Sequence, residues 1–354
     1  MRNKKLILTI LSASLFLAGC GASETETIQK NESTSTEASW TETAIQKSLC
    51  DNVTVDAQIV VPEGFAGKAN VYEANVEGIQ EDLVWNTLGI EKEKTTQVAE
   101  GLYTYNENFV EFSGAMAGSF VFTTSEGENY KTYDTYDASE SNVSNVGENV
   151  ELTFMGKQDA ENSVKEMLSQ MGIGEAEVTH TYALPVAYHQ YVENTEIESG
   201  LLETSEQLGE QWNSLGDCYE IQLTTQYDEI PLCEEGYVAA DDSCVDGGKI
   251  TAIISSKGVQ ELEIPNQYVV NEENAQEKNI LPAEQILEKL KTKMENIILT
   301  DEYTVTELKL CYYPEIINKE EGKFQLIPVW EITLNGKEDG EISYFFQAED
   351  GTEI

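Results

Sequence analysis

Residues 324–334 read FQLIPVWEITL, and upstream of them residues 282–298 read PAEQILEKLKTKMENII. In the first segment Phe324, Leu326, Trp330, Ile332 and Leu334 fall at even spacing, so in a strand they share one face. In the second, Ile286, Leu287, Leu290, Met294 and Ile297 line one side of a helix that has Pro282 in its first turn and Glu284 close behind. A helical apolar stripe next to a period-two apolar stripe closes a helix onto a sheet. The pattern therefore predicts that Trp330 anchors a core and meets Ile286, Leu290 and Met294.

Outward from this pair, two more amphipathic helices are expected, a short one over 78–88 and one over 158–171, the latter carrying Val164, Met167, Leu168 and Met171 on one face and ending at Gly172. Strand-like runs lie at 53–61, 69–76, 102–112, 119–124 and 129–136, then at 177–186, 219–232, 249–264, 303–314 and 341–354. About a dozen strands against three helices predict an α+β chain built on antiparallel sheets rather than a doubly wound parallel one. The segments that start with the second and third helices can be laid over one another. Their tightest echo is IISSKGVQEL around Gly258 beside FFQAEDGTEI around Gly351, two Gly-bearing hairpin turns. The expected organisation is thus one of tandem modules, each a helix packed on an antiparallel sheet. It comprises an N-terminal β-rich domain over 43–156, a middle module over 157–270 and a C-terminal module over 280–354. The middle module carries two surface insertions, an acidic stretch over 193–217 and a loop over 233–248.

The chain has 354 residues, with 65 Asp and Glu against 21 Lys and Arg, and a formal net charge of -44. That balance excludes recognition of a nucleic-acid backbone, which needs clustered cations, and excludes charge-driven binding to anionic lipid. With 40% hydrophobic residues the chain can still build a sizeable core, so the acidity belongs to the surface of folded domains.

Residues 1–19 place Arg2, Lys4 and Lys5 before an apolar run and end in Leu17-Ala18-Gly19, directly ahead of Cys20. This is an export signal too short to span a bilayer comfortably, and its end looks like the lipobox of bacterial lipoproteins. Cys20 is accordingly the candidate lipidation site and the first residue of the mature chain, which would sit on the outer face of the cytoplasmic membrane through its lipid. From Gly21 to Ser39 the sequence GASETETIQKNESTSTEAS cannot bury enough apolar surface to fold, so residues 20–42 are expected to be a lipidated tether.

The C-terminal segment, with its helix, LKLCYYP, LIPVWEI and YFFQAEDGTEI, resembles PepSY-like and YycI-type extracytoplasmic domains, through Pro328, Val329, Trp330 and Asp350-Gly351. The whole chain also resembles an uncharacterised group of clostridial lipoproteins. The resemblance implies an inhibitory or regulatory binding role in the cell envelope. It supplies no catalytic residues.

Candidate chemistry is sparse. Five cysteines follow Cys20, and Cys233 and Cys244 bracket a short loop where a disulfide is the candidate, two free thiols being the alternative. Cys218 and Cys311 are a second pair that repeated units would bring near one another. His180 sits on the apolar side of its run with Val178, Tyr182 and Leu184, and His189 follows nine residues on, so core or rim positions are expected for both. Asp241, Asp242 and Asp246 crowd a Gly-rich loop whose oxygen ligands suit calcium, but the spacing is not that of an EF-hand and a solvated acidic loop is the favoured reading. Tyrosines recur as Tyr103/Tyr105, Tyr130/Tyr133/Tyr136, Tyr188/Tyr191 and Tyr312/Tyr313, as candidate platforms for sugars or proteins, or as half-buried strand residues. No C-x-x-C, H-E-x-x-H, G-x-S-x-G, S-x-x-K or Gly-rich phosphate loop is present. The expected function is therefore non-enzymatic, without cofactor, with the membrane and another envelope protein as partners and no nucleic acid. A lipoprotein that binds a solute or a wall polymer is the alternative.

Overall fold

The computed structural model describes residues 40–113, 118–133, 143–239, 244–299, 301–337 and 340–354. The signal, Cys20 and the tether as far as Ser39, Tyr136, Asp241 and Asp242 lie outside the described residues, while Trp40, expected within the tether, instead packs on Phe65 against the core.

The chain begins with β1 (Ala44–Cys50), β2 (Val53–Val60) and β3 (Lys68–Glu77), followed by α1 (Glu81–Leu88) and β4 (Thr96–Ala99), β5 (Leu102–Tyr105), β6 (Asn108–Ser113) and β7 (Ser119–Thr123). Its middle contains α2 (Lys157–Gln170), β8 (Ala176–Leu184), α3 (Val186–Glu198), α4 (Trp212–Leu215), β9 (Cys218–Tyr227) and β10 (Ile230–Pro231). A two-stranded ribbon of β11 (Tyr237–Val238) and β12 (Cys244–Val245) precedes β13 (Lys249–Ser255), β14 (Gly258–Ile264) and β15 (Gln267–Asn279). The chain closes with α5 (Ala283–Glu295), β16 (Tyr303–Asn318), β17 (Lys323–Gly336) and β18 (Gly340–Gln347).

Two large sheets result. One has seven strands in the order β1-β2-β16-β17-β3-β15, with β18 also on β17; the other has nine, in the order β10-β9-β13-β14-β7-β6-β5-β4, with β8 on β9. Among the described residues, pairing within these sheets is antiparallel except where β2 runs parallel to β16. The α+β, mainly antiparallel character expected from the strand runs is therefore present.

Each sheet carries a helix on one face. Ile286, Leu287, Leu290 and Met294 of α5 pack on Leu308, Leu310, Leu326, Trp330, Ile332 and Leu334, and Trp330 has no exposed surface. Ala160, Val164 and Leu168 of α2, with Met171 just beyond its end, pack on Ile221, Leu223, Ala252 and Leu262 of the nine-stranded sheet. After each helix the chain runs as an antiparallel meander. That path is β8-β9-β13-β14 in one sheet and β16-β17-β18 in the other, where Glu353 then bridges to Phe346. Ile297 departs from the expected stripe: α5 stops at Glu295, and Ile297 is exposed.

The domain boundaries are drawn differently from the expectation. Residues 43–156 form no sheet of their own, because β1 to β3 complete the sheet of α5 while β4 to β7 extend the sheet of α2. Contact density makes everything from Ser39 onward one unit. The reason is edge satisfaction. β17 is longer than its partner β18, so Lys323 to Leu326 pair with β3 while the stretch from Val329 pairs with β18. Likewise, the free side of β14 takes β7. The break expected between 270 and 280 falls inside β15, which pairs with β3 from Gln267 to Asn279 around a bulge.

Two further elements differ. The end of the 177–186 run and the start of the supposed acidic insertion are the helix α3, which starts after Pro185 and buries Tyr188, His189, Val192 and Glu193. The run over 129–136 is not a strand where it is described, since a single 3₁₀ turn over Gly127–Asn129 leads into irregular chain.

Candidate functional site

Strand alternation gives the seven-stranded sheet two unlike faces. Val53, Val55 and Ala57 of β2 and Leu308, Leu310 and Tyr312 of β16 belong to the core under α5. Asp56 and Gln58 of β2 and Glu307, Lys309, Cys311 and Tyr313 of β16 therefore lie on the opposite face. One end of that face is roofed by chain arriving from the other sheet. Leu232 bridges to Tyr312, and the Cys233 N–H donates to the Tyr312 carbonyl at 2.8 Å. The Tyr237 ring stacks on Tyr313 at 4.6 Å, and its hydroxyl donates to the Pro314 carbonyl at 2.8 Å.

The rest of the face is open. It forms the floor of a cleft of about 930 Å³ between the sheets, with Lys165 of α2, the start of β8 and the β9–β10 turn as the opposing wall. Among the described residues, Glu177, Glu229 and Glu234 line one wall and Asp56, Glu63, Glu307 and Glu341 the other, against Lys165 and Lys309. No aromatic ring other than the His180 imidazole is among the described residues that line it. Lys309 is already spoken for: its Nζ lies 2.8 Å from the Glu234 carboxylate. Burial works against its charge, but Glu234 outweighs burial and holds its pKa above the usual lysine value. Next to it, burial raises the Glu331 carboxyl, and Lys309 only partly opposes this.

The β9–β10 turn is tied to the other sheet. Asp228 and Glu229 both have left-handed backbones, φ 50° and 63°, the handedness that a two-residue hairpin demands and that Gly or Asn usually supplies. The Asp228 carboxylate accepts hydrogen bonds from the Tyr72 hydroxyl and from Asn70 Nδ2, the latter at 2.8 Å, both on β3. Burial, seconded by Asp228, pushes Tyr72 up to about 12, so it remains a donor at any physiological pH.

The other candidates fall elsewhere. Cys233 and Cys244 are not joined: Cys233 is fully buried under the roof, whereas Cys244 is exposed on the ribbon opposite Val238, and both are free thiols. The ribbon begins only at Tyr237, by which point Cys233 has already crossed to β16. Cys218 does not meet Cys311 either. It lies in a separate core cluster with Tyr188 and Trp212.

There its Sγ is 3.4 Å from His189 Nε2, while His189 Nδ1 accepts from the Lys131 N–H at 3.3 Å and Trp212 stacks on the ring at 4.9 Å. Burial pushes His189 down to about 3 and the Cys218 thiol well up. A reactive cysteine needs an accessible thiolate beside an imidazolium. This pair is neutral and sealed, and so it is a core contact. The two histidines occupy different elements, His180 on β8 and His189 on α3. His180 is at the cleft, bonded to Glu148 Oε1 at 2.6 Å and stacked on Tyr182.

Of the tyrosine groups, Tyr130, Tyr188 and Tyr312 are buried, and Tyr103 packs on Trp85 and Phe112, so these are core rings rather than a platform. Asp246 accepts from Asn266 Nδ2 at 2.6 Å. Among the described residues no group of three or more His, Cys, Asp or Glu is placed to hold a metal ion, and no helix is long and apolar enough to cross a membrane. The cleft itself was not foreseen, because its carboxylates come from segments far apart in the chain. The available signal was Glu307 and Lys309 alternating with the buried Leu308 and Leu310, which marks a polar second face on an otherwise apolar strand.

No protein-family model matches the chain, and no curated protein matches it in sequence. Among solved structures, an uncharacterised protein from Eubacterium rectale is similar with a TM-score of 0.65 and 15% identity, over 88% of this chain and 93% of that one. YycH from Bacillus subtilis is more distant, with a TM-score of 0.39 and 11% identity over 77% of this chain and 52% of that one. The first similarity shows a shared fold that extends over nearly the whole length of both proteins.

Proposed function

We propose that this chain is a lipoprotein of the outer face of the cytoplasmic membrane, anchored at Cys20, that binds another envelope protein and has no catalytic activity. The observation that carries the reading is the open polar cleft between two sheets, each braced by a helix and the two linked by the roof and by the Asp228 turn. Such a site presents a preformed surface without a reactive centre, while the one Cys–His contact of the core is closed to substrate. The two helix-and-meander halves are read as copies of one PepSY-like module, on the matching order of their elements and on Gly258 and Gly351 at equivalent turns with φ 99° and 73°. Sugar binding, as in a wall-polymer receptor, is less favoured because, among the described residues, aromatic rings of the kind that stack on a pyranose do not line the cleft.

The test combines address and contact. Acyl labelling and membrane fractionation of the Cys20→Ala variant should show loss of label and of processing or attachment. A photo-cross-linker at Thr333, which lines the cleft, should yield an adduct with one envelope protein in intact cells. Unchanged acyl-labelled attachment of the variant, or adducts with glycan alone, would overturn the reading.

A further inference from the structure

We infer that the cleft is the seat of an extended, Lys- or Arg-bearing segment of a membrane protein, which is received at the rim where the chain leads back toward Cys20. The chemistry of the occupant stands on the cleft alone, and its membrane origin rests on the lipoprotein reading above.

The occupied part of the polar face is accounted for by the Cys233–Tyr237 roof, and the unpartnered part by nothing among the described residues. With Lys309 paired to Glu234, what remains among the described residues is Glu177 and Glu229 facing Asp56, Glu63, Glu307 and Glu341, with Lys165 as the unspent cation of that lining. Carboxylates that face one another across a cleft with protein walls focus a negative potential and draw cations in. Gln58, Gln226 and Thr333 supply hydrogen-bonding groups for a peptide backbone, while Val60 and Pro62 offer apolar surface for the methylene stem of a lysine or arginine.

The same field rejects the other occupants. A second copy of the chain brings a net charge of -44 of its own. The chain's own segment from Gly21 to Ser39 carries four Glu and one Lys, so it is repelled. Phosphates and acidic sugars are repelled likewise.

The position of the rim follows from Trp40, the first described residue. Its ring meets Phe65 edge-on at 4.9 Å and lies over Gly67, where a Cβ would come within 2.5 Å of the indole nitrogen. The Phe65 N–H donates to the Pro62 carbonyl at 3.1 Å, and Pro62 and Glu63 line the cleft. The root of the N-terminal segment thus packs on the turn whose Pro62 and Glu63 line the cleft. The residues from Gly21 to Ser39 span at most about 65 Å when fully extended, so a chain lipidated at Cys20 holds that turn within reach of segments emerging from the same membrane.

The experiment uses the purified full chain and two fluorescent decapeptides, one alternating Lys with Ser and the other Glu with Ser, at about 0.15 M salt to suppress long-range attraction. Glu307→Gln with Glu341→Gln should weaken binding of the Lys peptide at least tenfold. Glu284→Gln with Glu288→Gln, on the exposed side of α5, should leave it within twofold, with both variants melting cooperatively. Equal weakening by both pairs would show attraction to bulk acidity and overturn the inference, as would a cleft pair without effect or binding of the Glu peptide. In intact cells a photo-cross-linker at Glu63 should give an adduct whose joined peptide carries Lys or Arg and belongs to a protein with a membrane span. An adduct with a secreted protein overturns the membrane origin. Cys20→Ala that abolishes this capture, while the purified variant still binds the Lys peptide, separates failure of the anchor from failure of the site.

Discussion

The indole N–H of Trp330 donates to the carbonyl oxygen of Leu281 at 2.9 Å, tying the central strand β17 to the residue two places before α5. The Leu281 N–H in turn donates to Ala348, and the Ala348 N–H to Pro328. The ring is therefore both a packed core group and a satisfied polar one. Trp330→Ala should cost about 3–5 kcal/mol, and Trp330→Phe less, on the order of 1–2 kcal/mol for the unpaired carbonyl. Urea unfolding of the full chain measures both. A Trp330→Phe cost near zero would show that the hydrogen bond contributes nothing.

A pH dependence follows from His189. Its folded-state value is pushed down to about 3 by burial, against 6.5 for the free side chain. Between these values the unfolded chain takes up a proton that the folded chain refuses. The associated stability is therefore complete above pH 6.5 and is lost progressively as pH falls toward 3, with a slope approaching about 1.4 kcal/mol per pH unit. Comparing unfolding free energies of the wild type and His189→Gln from pH 7.5 to 5.5 should show the steeper fall in the wild type, and parallel curves would refute the assignment.

Neighbouring residues of the β9–β10 turn should respond in opposite directions. Asp228→Ala removes the acceptor of Tyr72 and Asn70 and should cost on the order of 2 kcal/mol. Glu229→Gly relieves a left-handed backbone at φ 63° and should stabilise by about 1 kcal/mol. Thermal melts of the two single variants check both signs.

Gly67 has φ 78° and lies under the Trp40 indole. Gly67→Ala should cost on the order of 1–2 kcal/mol from the backbone alone and lift Trp40 off Phe65. In protein labelled with fluorotryptophan, the Trp40 resonance should move while those of Trp85, Trp212 and Trp330 stay in place.

Thiol accessibility offers a fifth check. In the native chain a soluble disulfide reagent should modify Cys244 fastest and Cys50, which is partly exposed, more slowly, whereas Cys218, Cys233 and Cys311 should react only after unfolding. Peptide mapping without reduction reads this directly. Finding Cys244 bonded to Cys233 would contradict the separation of the two positions.

What could be read along the chain was whatever depends on the spacing of a residue from its own neighbours. The stripes of α5 and β17 place Trp330 under the helix, the face of α2 places Val164 and Leu168, and the strand count places the chain among antiparallel α+β folds. Each of these needs only the period of a helix or a strand.

The elements that escaped this reading lack such a period. α3 buries a histidine and a glutamate in place of an apolar stripe, because partners from elsewhere, the Lys131 backbone at His189 and the Leu208 and Gly209 N–H groups at Glu193, satisfy them. β15 is polar along most of its length and is a strand because β3 pairs with it.

The composition by itself determined an acidic chain, the N-terminal residues raised the expectation of an export signal, and the periodicity determined helix-on-sheet layers in the second half. Tertiary structure alone decided that strands from the first third complete both sheets, that Cys233 and Cys244 part company, and that carboxylates from widely separated segments face one another. The physical reason is the range of the forces involved. Periodic burial is written residue by residue, whereas the choice of a sheet edge, and the space left open beside it, depends on which distant strand satisfies that edge's hydrogen bonds.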